Sequence, residues 1–165
     1  MKLLRKLSEV ARSGSKQEPR LESSVVRTPD REDLQILLRI MEIYLSDPMR
    51  KARSFWRTIP DGLTLEELLE RYPRGSEEFE LFGNMMVFWE TIGSLIKHGL
   101  LNEELAFDTF LDAPPWKKVE AAFVAMRKEP GKAVEAENLE FAYRRSMKWM
   151  ERHPPGADEI GSKST

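Results

Sequence analysis

Apolar residues recur along this chain at spacings of three and four, and no stretch alternates as a half-buried strand would. The pattern is densest from Phe79 to Leu101. On a helical wheel Phe82, Met85, Met86, Trp89, Ile92 and Ile96 share one arc, which Leu81, Phe88 and Leu95 widen to about 180°. Ser76 is placed to cap this helix, and His98-Gly99 supplies a charge-compatible, left-handed end. Gly93 lies inside the apolar arc. A mid-helix glycine costs about 1 kcal/mol relative to alanine, so its position predicts a close crossing by another helix.

The same reading divides the rest of the chain. Residues 1–12 carry Leu3, Leu4, Leu7 and Val10 on one side of a short amphipathic helix, and residues 13–28 read as a flexible linker. Thr28 as cap and Pro29 at the first helical position begin the next helix. Its buried face is expected from Leu34, Leu37, Leu38, Met41, Tyr44 and Leu45, while Ile36, Ile40 and Ile43 widen the apolar surface beyond what one partner needs. Asp47 and Pro48 cap and begin a helix to about Thr58. A capping box at Thr64 and Glu67, stapled by Leu63 and Leu68, opens a short one to about Tyr72.

Asn102 caps a helix to about Leu111, and Asp112 to Pro115 separates it from one bearing Trp116, Val119, Phe123 and Met126. A turn at Glu129-Pro130-Gly131 precedes the last helix, expected from about Val134 to Arg152. That helix directs Leu139, Ala142, Tyr143, Met147 and Met150 inward and pairs Glu140 with Arg144. The expected architecture is all-α: an irregular bundle of five to six helices over residues 29–153, centred on residues 76–98. Residues 1–28 form an arm before it and residues 154–165 a disordered tail.

Charge modifies this picture locally. The 165 residues carry a net charge of −2, which argues against a general polyanion binder. Yet residues 1–60 hold 13 Lys/Arg against 8 Asp/Glu, and residues 61–110 hold 3 against 11. A basic segment docking on an acidic one accounts for such asymmetry, and an acidic partner or lipid headgroup is the alternative. The absence of cysteine excludes disulfides, thiol catalysis and Cys-based zinc sites and fits a cytoplasmic setting. Arg39 and Glu42 interrupt the nearest approach to a membrane span, and the basic start lacks the apolar stretch of a secretory signal. Lys2, Arg5 and Lys6 would carry any contact of residues 1–12 with a partner or an anionic membrane surface.

Chemistry is sparse. No glycine-rich phosphate loop is present, the two histidines stand apart at helix ends, and no Glu-x-x-His suits a di-iron bundle. No cofactor, metal or catalytic residue is expected. Glu90, at the border of the apolar arc beside Trp89, is the carboxylate to examine, because burial there would suit it to proton transfer. The competing expectation is an ion pair joining two helices, with Arg127 or Arg144 as partner. The aromatic residues Phe55, Trp56, Phe88, Trp89, Trp116, Tyr143 and Trp149 would line a ligand pocket or simply fill the core. Arg50, Lys51, Arg53 and Arg57 would contact phosphates or form a solvated face; without a helix-turn-helix companion, no specific nucleic acid is expected.

Several short motifs resemble a family of small bacterial proteins classified only as a domain of unknown function. They are Asp47-Pro48 with Arg50-Lys51-Ala52-Arg53, Phe88-Trp89-Glu90-Thr91-Ile92-Gly93 leading to Gly99-Leu100-Leu101, then Trp116, Arg127 and Asn138-Leu139-Glu140-Phe141. The resemblance implies an all-helical fold over residues 30 to 150 and supplies no catalytic residue. Members often carry an N-terminal membrane span, where this chain has residues 1–12. The function expected is a non-enzymatic helical interaction or scaffold module that self-associates. The alternatives are a peripheral membrane protein attached through its basic N-terminal helix, and a small-ligand binder or enzyme built on Glu90, Trp89 and Arg127.

Overall fold

A computed structural model describes residues 27–110 and 114–154. Of the arm expected at residues 1–28, residues 1–26 lie outside this range, as does the expected tail from residue 155 onward. The described residues form seven α-helices and no strand: α1 (Arg31–Leu45), α2 (Asp47–Thr58), α3 (Leu65–Arg71), α4 (Glu77–Lys97), α5 (Glu103–Thr109), α6 (Trp116–Met126) and α7 (Glu137–Arg152). This exceeds the expected five to six. Helices as short as α3 and α5 are marginal in isolation, but each has a local cap. Thr64 and Glu67 form the expected reciprocal box before α3, and Asn102 accepts from Leu105 N before α5.

Helix α4 is the axis of the bundle. Helix α2 packs on its first half, where the Trp56 indole stacks on Phe82 at 5.0 Å and donates to the Phe82 carbonyl. Helix α7 crosses its second half, α3 packs on α6, and α5 and α6 close against α7. The arc expected from residues 82 to 96 is buried as a whole, together with Phe88. Edge-on and stacked rings connect Tyr44, Phe88, Trp89 and Phe110 at centroid separations of 5.2–6.0 Å, a geometry that adds to the area these side chains bury.

Helix α1 departs from expectation in two ways. It begins at Arg31, capped by Asp30 rather than Thr28, because Asp30 and Asp33 satisfy each other's backbone N–H in a capping box. Its buried side is Asp33, Leu37, Ile40 and, partly, Tyr44. Leu34, Leu38 and Leu45, expected inside, are exposed. At the next junction Asp47 is already helical and Ser46 precedes α2 without a side-chain cap bond; Asp47 pairs with Arg50 instead.

The last helix also starts later than expected, at Glu137, leaving Val134 exposed. Its inner stripe runs through Leu139, Ala142 and Ser146, while Met147 and Met150 face solvent. Small residues on that stripe permit close approach to α4. A Cβ placed on Gly93 would lie 2.0 Å from the Asn138 carbonyl oxygen, so only glycine fits the crossing.

Candidate functional site

The stripe Glu90, Gly93, Lys97 repeats at helical spacing along α4 and meets the beginning of α7. Ala136, immediately before α7, has φ +55° in the left-handed region and offers no capping side chain. Glu90 supplies the missing acceptor from across the crossing: its Oε1 accepts from Leu139 N at 2.9 Å and its Oε2 from the Asn138 amide at 3.1 Å. Lys97 then reaches Glu137 at 3.0 Å. Glu90 is therefore an inter-helix cap, where negative charge also complements the positive end of α7. The Arg127 or Arg144 partner expected for it is not there.

Those arginines serve a second carboxylate. Arg127 pairs with Glu140, donates through Nε to the Glu135 carbonyl at 2.7 Å, and lies over the Trp116 ring at 5.2 Å. Arg144 completes the expected pair with Glu140 at 2.6 Å. Burial raises the Glu140 pKa, but the two arginines outweigh it and hold the carboxyl below its ordinary range. Trp89, though adjacent in sequence to Glu90, borders a different cavity, one that Glu90 and Arg127 do not line. The structure does not gather Glu90, Trp89 and Arg127 into one site. Lys2, Arg5 and Lys6 lie outside the described residues.

A polar hub that the sequence reading missed joins the start of α1 to the start of α5. Asp33 is fully buried, and its carboxylate accepts from both terminal nitrogens of Arg27 at 2.5 and 2.6 Å, from Asp30 N at 2.9 Å and from Asn102 N at 2.8 Å. Asn102 returns a bond from its amide to the Arg27 carbonyl. Burial pushes the Asp33 carboxyl up, and the Arg27 and backbone donors together pull it below the usual range. The expected cap at Thr28 left the Asp30–Asp33 box unread, and the 69-residue separation from Asn102 left no local trace of the rest.

Two surface features remain. On α1, Leu34, Leu38, Met41 and Leu45 repeat at 4-3-4 spacing within one narrow stripe, and Leu38 and Leu45 are 55% and 57% exposed. On another flank, Ile40, Ile43, Met49, Val87, Phe88 and Ile92 border an apolar groove of about 380 Å³. The second cavity, about 170 Å³, brings Trp89 together with Tyr44, Arg53, Trp56, Arg57 and Lys118. It thus unites part of the expected aromatic lining with part of the basic face of α2.

Among the described residues no cluster of three or more His, Asp or Glu is arranged to hold a metal ion, and no helix is long and apolar enough to cross a membrane. Comparisons with protein families, curated proteins and solved structures returned no match, so the geometry of these residues alone carries the functional argument.

Proposed function

We propose that the protein is a non-enzymatic helical interaction module that pairs with a second copy of itself through the outer stripe of α1. The 4-3-4 row of Leu34, Leu38, Met41 and Leu45, of which the three leucines are exposed and Met41 is half-buried, carries this reading. A stripe of that width and period is the seam of a two-helix coiled coil, and it is self-complementary about a two-fold axis. Helix α1 already has a separate inner side, led by Leu37 and Ile40, committed to its own bundle. Leu34, Leu38 and Leu45 are apolar surface left outside the bundle, while Met41 between them is half-buried against the core. Two heptads form a short seam, so the expected association lies in the micromolar range.

The test is the molecular mass of the full chain in solution across micromolar concentrations. The intact protein is expected to move toward twice the chain mass as concentration rises. Leu38→Glu, at an exposed position, should remain folded and stay monomeric. A wild-type chain that is strictly monomeric throughout overturns the reading. A substituted chain that still dimerises moves the interface off α1.

A further inference from the structure

The 170 Å³ cavity between α1, α2, α4 and the start of α6 has the makings of a binding site. Three rings, Tyr44, Trp56 and Trp89, line it beside three cations, Arg53, Arg57 and Lys118, and no carboxylate is among the residues that line it. Its size matches the roughly 150 Å³ that admits a single benzene ring in an apolar protein cavity.

The cations are not equally committed. Lys118 donates to the Ile59 carbonyl and stands 3.3 Å from Asp61. Arg53 and Arg57 have no carboxylate partner among the described residues. The Arg53 guanidinium lies 3.9 Å over the Tyr44 ring, yet its Nε is buried and has no hydrogen-bond partner among the described residues. A buried, charged donor without an acceptor is unfavourable, and a bound anion would relieve it.

From this we infer that the cavity binds a small aromatic carboxylate of benzoate size, its ring against Trp56, Trp89 and the edge of Tyr44 and its carboxylate accepting from Arg53, with Arg57 at the mouth. A planar carboxylate suits the fork of an arginine better than a spherical anion does. The apolar rings favour an aryl acid over inorganic phosphate.

The experiment titrates the full chain with benzoate, benzyl alcohol and inorganic phosphate, following tryptophan fluorescence and heat. Benzoate is expected to saturate one site in the millimolar range or tighter. Benzyl alcohol, which lacks the charge, should bind about tenfold more weakly or worse, and phosphate should not saturate. Arg57→Gln, at an exposed position, should leave the fold intact and weaken benzoate several-fold. Arg53→Lys, which keeps the charge but loses Nε, should weaken it about tenfold. Absence of saturable benzoate binding overturns the proposal. So does benzyl alcohol or phosphate binding as tightly as benzoate, or an affinity that neither arginine substitution changes.

Discussion

At the scale of single residues, the fold depends on side chains that satisfy backbone groups of distant helices. Glu90 accepts the amide of Leu139 because the chain before α7 turns through a left-handed Ala136 and brings no cap of its own. Glu90→Ala should cost about 1–2 kcal/mol, in the range of a lost helix cap, measurable as a lower midpoint in thermal or urea unfolding. Glu90→Gln keeps an acceptor and should cost less. Gly93→Ala is expected to be worse, about 2–3 kcal/mol, because the new methyl meets backbone at Asn138 and the crossing must open.

Sequence made Gly93 legible, since a glycine inside an apolar helical arc needs a reason, and the reason is the crossing it permits. It did not make the Glu90 partner legible. The acceptor is needed because of one residue's backbone angle at Ala136, and nothing local in Lys132 to Glu137 announces that angle. Charge alone points to Arg127, which Glu140 occupies.

At the scale of elements, the ends of α5 and α7 are fastened by Glu104. It accepts from the Trp149 indole at 2.6 Å and from Arg152 at 3.0 Å, while Trp149 stacks on His153 at 4.4 Å. Glu104→Ala should leave the indole donor unpaired and loosen the last turns of α7. Trypsin should then cut faster at Lys148 and Arg152, with global stability falling by about 1–2 kcal/mol. Unchanged cleavage at both positions would show that burial of Trp149 alone holds the helix end.

Elements with self-contained signals were read correctly: the Thr64 box, the Ser76 and Asn102 caps, and the terminal Gly99 with φ +69°. Helix α1 was not. It carries two apolar stripes, and the sequence offers no local reason to choose between them. The inner one begins with Asp33, a carboxylate, so the expected face holds Leu37, Met41 and Tyr44 correctly but adds the outward Leu34, Leu38 and Leu45. Buried, Asp33 pairs with Arg27 and accepts two backbone N–H bonds, which no spacing rule reports. The cavity beside Arg53 was illegible for a related reason, because its lining comes from four separate segments.

At the scale of the whole molecule, acid should be the condition that exposes these dependencies. The Asp33 and Glu140 carboxyls both titrate below their ordinary values in the folded chain. A depressed folded pKa means that the unfolded chain takes up the proton first. The stabilisation is complete above the ordinary carboxylate range and is lost as pH falls through the folded values. Unfolding midpoints should therefore be flat near neutrality and fall below about pH 4. Asp33→Asn should flatten part of that acid limb while lowering stability at neutral pH by about 2–4 kcal/mol. An acid limb identical to wild type would remove Asp33 from the account.

The inter-helix caps also mark when the bundle opens. First-turn amides of a helix exchange their hydrogens quickly with solvent as a rule, since nothing within the helix holds them. Here the amide of Asn102 is held by Asp33 and that of Leu139 by Glu90, each from another helix. Both should exchange as slowly as core amides, and each only when its own inter-helix junction parts. Two amide signals would thus time the parting of α1 from α5 and of α4 from α7 separately, revealing whether the two halves breathe together.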